Sequence, residues 1–202
     1  MSQIKLFLRN VAMIIACLAV TVVISNCSSG NSSNKGNSSG NSKVRVIKAS
    51  ELISISEAAA ILEQSINSSE DDKMYFSDEI RYRSAIYTFS VRLAQEALHD
   101  NSSDFEKKLL KNGWKSYLKD MEKNLSSGTT KIDVSGGTGY LQETNEIWMF
   151  YIFYEEYYIT LSLVQFPLSH IDTDEEKLWK TQRLTEAGKI AVNNLKNILS
   201  KN

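Results

Sequence analysis

The chain is poor in the residues that usually announce covalent bracing or chemistry. Its 202 residues include two cysteines, two histidines and one proline. Two cysteines make no disulfide framework and no zinc-ligand spacing. The histidines, His99 and His170, lie far apart, with no second histidine or cysteine at ligand spacing near either, and no Gly-x-Ser-x-Gly elbow is present. Positive charge is not in surplus. Lys and Arg number 23 against 24 Asp and Glu, a net of -1, which gives no electrostatic case for nucleic acid. No apolar run reaches the ~20 residues that a membrane-spanning helix needs. The 42% hydrophobic fraction, with 3 Trp, 9 Tyr and 7 Phe, excludes general disorder and supplies a globular core.

The N-terminal residues are informative. Lys5 and Arg9 form a positive end without an acid, and Val11 to Ile24 is an apolar run of 14 residues. Together they have the form of an export signal over residues 1–26. The run ends at Ile24-Ser25-Asn26-Cys27. An aliphatic residue three before a cysteine, small residues between, and the cysteine itself are the parts of a lipobox, and in these residues the chain resembles bacterial lipoprotein precursors. That resemblance implies that the Cys27 thiol takes a diacylglyceryl group and becomes the mature N-terminus. Asn26 stands where Gly, Ala or Ser is usual, as in the looser boxes of spirochaete lipoproteins. Ile14-Ile15-Ala16-Cys17 matches the box letter by letter, but cleavage there leaves Leu18 to Ile24 as an apolar start to the mature chain. An uncleaved anchor helix is the remaining alternative.

After Cys27 the chain turns polar at once. Ser28 to Ser42 holds seven Ser, four Asn, three Gly and one Lys, and nothing in it can bury apolar surface. Residues 27–49 therefore read as a lipidated cysteine and a flexible tether, in which Ser28 to Ser42 spans roughly 20 Å on average and about 50 Å when stretched. Cleavage before Cys27 leaves 21 Lys and Arg against 24 Asp and Glu. The net of -3 gives the domain no pull towards anionic headgroups, so lipid must do the holding. Ser28 after the cysteine favours the outer membrane or cell surface over the inner membrane.

Residues 50–202 read as a single α+β domain, an antiparallel sheet packed against helices in the order helix, strand, helix, three strands, helix. Lys43 to Ile53 is a transition, with Val44, Val46 and Ile47 as an edge strand. Ser54 with Glu57 forms a capping box that opens a short helix. Ser68 to Lys73 is a polar loop. Arg81 to Leu93 alternates as one half-buried strand, with Arg81 and Arg83 on the face of Tyr87, Phe89 and Val91. Asp104 to Leu125 carries an apolar stripe at Leu110, Trp114, Tyr117, Leu118, Met121 and Leu125, with Gly113 inside the helix. Thr129 to Gly139 holds Gly136-Gly137-Thr138-Gly139, a turn or bulge, since no Lys-Ser or Lys-Thr closes it as a phosphate loop would. Tyr140 to Gln142, Ile147 to Tyr154 and Tyr157 to Phe166 are three strands. Glu155 and Glu156 make a hairpin cheaper there than a membrane helix. Thr173 with Glu176 opens a last helix to about Leu199, its core side running through Leu178, Leu184, Ala187, Ala191, Leu195 and Ile198. The element order resembles PsbP-type folds, and that resemblance implies an architecture and no activity.

Few residues point to chemistry. Asp172, Asp174, Glu175 and Glu176 cluster as helix N-terminal charge, with cation binding as the alternative. Glu143, Glu146, Glu155 and Glu156 are acids at strand ends. No cofactor, metal site or catalytic residue is expected. The dense aromatic run of the last two strands, Trp148, Tyr151, Tyr154, Tyr157 and Tyr158, is the candidate surface for a protein or small-ligand partner. The sequence thus points to a non-enzymatic, membrane-anchored lipoprotein of the cell envelope. A lipid-anchored hydrolase with a carboxylate site and a structural envelope component are the alternatives.

Overall fold

The structure, a computed structural model, describes residues 45–74, 77–96, 98, 112–127, 129–144 and 147–201. Cys27 and the tether lie outside the described residues. Residues 45–48 are irregular and lead into a single turn of helix, α1 (Ala49–Leu52). The edge strand expected at Val46 and Ile47 does not form, and Val44 lies outside the described residues. Instead the Ile47 N–H and C=O are taken by the Gln95 side-chain amide at 3.0 and 2.6 Å, and the Ala49 N–H donates to Asp78 Oδ2 at 2.6 Å. Side chains stand in for a ladder partner and pin this segment to the sheet.

Helix α2 (Ile55–Leu62) starts where its capping box sits, with the Ser54 hydroxyl accepting from the Glu57 N–H. The Glu57 carboxylate accepts from the Ser54 N–H and hydroxyl, both at 2.7 Å, and from the Asn194 amide at 3.1 Å. Partial burial lifts the Glu57 carboxyl, but these hydrogen bonds outweigh it and hold the group below its ordinary range. A depressed folded-state pKa stabilises fully above the unfolded value, and the contribution is lost as pH falls through the folded one. Glu57→Gln should therefore lower the melting temperature by about 2 °C at pH 7. The gap to the parent should close in melts recorded at acid pH, and a gap independent of pH would refute this role.

Seven strands follow in one antiparallel sheet: β1 (Ser68–Met74), β2 (Ser77–Arg83), β3 (Tyr87–Ala94), β4 (Thr130–Val134), β5 (Gly137–Glu143), β6 (Ile147–Tyr154) and β7 (Tyr157–Gln165), in the spatial order β1-β2-β3-β7-β6-β5-β4. Between β3 and β4 lies α3 (Trp114–Leu125), and after β7 comes α4 (Asp174–Leu199). The α+β class and its antiparallel sheet hold, with more strands than the sequence reading separated. Ser68 to Lys73 is not a loop but strand β1, tied to β2 by ion pairs of Glu70 with Arg83 and Asp72 with Arg81 at 3.0 and 2.9 Å.

Arg81 to Leu93 is likewise not one strand. A turn at Ser84–Ile86 makes it the β2–β3 hairpin, in which Tyr82 faces Phe89 and Arg81 faces Ser90. Reversal changes the parity, so Arg81 and Arg83 stand on the face away from Tyr87 and Phe89. There Glu79, 3% exposed, lies between Arg81 Nε at 2.7 Å and the Arg92 guanidinium at 2.6 Å. Gly113 does not sit inside a helix but caps the start of α3 with φ 86°, a left-handed conformation that glycine adopts without a Cβ clash. Asp104 to Leu110 lies outside the described residues.

Two apolar layers result. On one face, α1, α2 and α4 cover Phe89, Val91, Phe150, Ile152, Ile159 and Leu161. Within α4, Leu184, Ala187, Ala191 and Leu195 are buried as the periodicity predicts, but Leu178 is exposed. The small residues Ala187, Gly188 and Ala191 let the helix approach closely. On the other face, Trp114 and Leu118 of α3 pack on Ala94 and Tyr158.

Candidate functional site

Strand alternation divides the aromatic run between the two faces of the sheet. Trp148, Tyr154 and Tyr157 belong to the α4 side, and Tyr151 and Tyr158 to the α3 side. Trp148 is 2% exposed and Tyr158 8%. Tyr158 stacks on Tyr151 with centroids 6.3 Å apart and leans on Phe153 at 4.9 Å. Burial pushes its phenol far above the ordinary range, so it stays neutral. Tyr154 lies under the Lys196 ammonium at 5.4 Å. The five residues therefore do not form a single surface, and most of their area is packing.

Trp148 instead leads to a polar cluster at one end of the sheet. Its indole N–H donates to Asp172 Oδ2 at 3.0 Å, and Asp172 Oδ1 accepts from Lys180 Nζ at 2.5 Å. The side chains of Asp172 and Lys180 are 7% and 4% exposed. Beside them His170 Nε2 lies 2.9 Å from Glu176 Oε1 and 3.7 Å from Asp172 Oδ1. Glu176 closes the capping box of α4 by accepting the Thr173 N–H at 2.7 Å. That backbone bond, with the His170 contact and the Thr173 hydroxyl, outweighs desolvation and holds its carboxyl below the ordinary range. The loop that carries this cluster follows the cis Phe166–Pro167 bond.

The donor set His170, Asp172 and Glu176, with ligand atoms within 4.8 Å of one another, has the right chemistry for a cation. Its atoms are nevertheless committed. Asp172 already neutralises a buried ammonium, and an incoming ion would have to displace it. Of the four acids grouped in the sequence, the structure brings only Asp172 and Glu176 together, and Asp174 is fully exposed. Sequence reading missed that His170 joins them. Its position three before the capping threonine was the available signal.

Two hollows lie near these elements. One, of about 570 Å³, is lined by Leu118, Phe153, Lys115, Lys119, Glu122, Glu155 and Glu156 between α3 and the β6–β7 turn. Three of its charged side chains are engaged: Lys115 pairs with Glu156 at 2.6 Å, and Glu122 accepts the Tyr140 hydroxyl at 3.0 Å. The other, of about 360 Å³, lies over Trp148, between Glu143 and Thr144 at the end of β5 and Leu168, Ile171 and Asp172 in the loop before α4. No family model, curated protein or solved structure matches the chain.

Proposed function

We propose that the chain is a bacterial lipoprotein precursor, held in the cell envelope by acylated Cys27, and that its α+β domain is a non-enzymatic binding module. The observation that carries this is the succession of a positive end, an apolar run, Ile24-Ser25-Asn26-Cys27 and an immediate Ser/Asn/Gly tether. Each part does what anchoring needs: export, a thiol at the membrane surface, and a polar leash. Two or three acyl chains, at about 0.8 kcal/mol per buried CH₂, hold a domain firmly. Supporting the binding role, Leu168 and Ile171 stand exposed at the hollow over Trp148.

Metabolic labelling with palmitate tests the anchor in cells. The parent chain should be labelled and sediment with membranes, while Cys27→Ala should lose the label and accumulate with its leader uncut. A Cys27→Ala chain that is processed and retained like the parent would sink the proposal.

A further inference from the structure

Seven large hydrophobic side chains are exposed among the described residues, and four of them, Ile86, Phe166, Leu168 and Ile171, gather at one end of the sheet. Single exposed apolar residues are ordinary, whereas a group sharing one end is not. Ile86 and Phe166 are adjacent, the Phe166 N–H donating to the Ile86 carbonyl at 2.8 Å. Leu168 and Ile171 stand on the rim of the 360 Å³ hollow, whose floor includes Trp148. Ile171 is 87% exposed.

Acids outnumber cations around this group. Glu143 and Lys177 line the hollow, and Asp174 and Glu175 are exposed on the first turn of α4. Both lysines here have a partner: Lys180 is buried on Asp172, and Lys177 sits 3.8 Å from Asp174. The chain joins the domain at the other end of the sheet, where Ile47 meets Gln95 and Ala49 meets Asp78. Strand β3 separates the two ends by about 26 Å.

We propose that this apolar, acid-rimmed end docks a protein segment that presents an aliphatic or aromatic side chain between lysines or arginines. The apolar group enters the hollow over Trp148 beside Leu168 and Ile171, and the cations meet Glu143, Glu175 and the carboxylate of Asp174 that Lys177 only partly neutralises. Charge selects this occupant. A second copy would bring two acidic rims together, and an anionic bilayer would be repelled in the same way. The inference rests on the reading of the domain as a binding module. It does not depend on Cys27, so the acylation result and the docking result fail separately.

The test uses the full chain in phosphatidylcholine nanodiscs, with empty nanodiscs as the blank. The probe is a short Ser/Gly peptide carrying a Leu-Leu pair flanked by lysines. One control has glutamates for the lysines, the other alanines for the leucines. Anisotropy should show the Lys/Leu peptide binding about tenfold more tightly than either control, weakening with added salt. Binding should fall about tenfold in Leu168→Ser/Ile171→Ser and, separately, in Asp174→Lys/Glu175→Lys, all exposed positions outside the capping contacts. Equal affinity for the three peptides, or no change in both variants, would overturn the proposal. So would self-association abolished by Ile171→Ser, or preferential binding of the parent to phosphatidylglycerol vesicles.

Discussion

Phe150→Ala should destabilise the domain by about 3–5 kcal/mol, among the largest losses available to a single core truncation. Phe150 is completely buried at the centre of β6, and its ring is gripped from two sides by absent side chains. A Cβ built on Gly139 of β5 would lie 2.5 Å from Phe150 Cε2, and one on Gly188 of α4 would lie 2.6 Å from Cε1. Sheet and helix therefore meet through this ring, and removing it leaves a space that neither element can close alone. The reciprocal experiment is sharper. Gly188→Ala gains roughly 1 kcal/mol of helix propensity yet forces a methyl into the ring and Ile152 Cδ1, at 2.9 Å. It should cost about 1–3 kcal/mol net in the parent and much less in a Phe150→Leu background. Urea midpoints for the four chains of this cycle measure the coupling. Additive effects would show that the ring does not set the spacing of α4 on the sheet.

Lys180→Met should cost about 3–5 kcal/mol, because it leaves Asp172 charged and buried without its cation. Asp172 keeps the Trp148 indole bond at 3.0 Å, but one hydrogen bond does not replace an ammonium. The double variant Asp172→Asn/Lys180→Met removes both charges and should recover most of the loss. The pair also fastens the loop between β7 and α4 to the helix, so the single variant should loosen His170 and Ile171 as well. Thermal melts of the singles and the double decide this. A Lys180→Met loss within about 1 kcal/mol would mean that the pair is solvated.

What the residues revealed in advance follows physical lines. Helix α4 was legible because its capping box, its acidic first turn and a spacing that repeats through Leu184, Ala187, Ala191 and Leu195 all agree. The β6–β7 hairpin was legible because two acids interrupt a run too apolar to be surface; its turn was not, since two glutamates do not announce the left-handed conformation that Glu155 takes there, with φ 51°. Strand β1 was not. Its residues, Ser-Ser-Glu-Asp-Asp-Lys-Met, carry no apolar alternation, and Arg81 and Arg83 on β2 reach diagonally across the ladder to Asp72 and Glu70. Such complementarity is visible only once register is known.

The turn at Ser84–Ile86 hid in the same way. Alternation on either side of a three-residue turn reads as one continuous period, and the faces of Arg81 and Arg83 come out inverted. The aromatic run was correctly read as apolar on both sides, but density could not say that Trp148 and Tyr158 would face opposite layers. The apolar end of the sheet was the least legible, since Ile86 comes from the β2–β3 turn and Phe166 and Ile171 from the loop before α4, and only the folded chain brings the two segments together.

The anchor remains the claim on which the biology turns, and the mass of the mature N-terminal peptide addresses it most directly. The mature chain should begin at Cys27, heavier than its residues by a thioether-linked diacylglycerol. A mature protein that still carries any residue of the stretch from Met1 to Asn26 would contradict it.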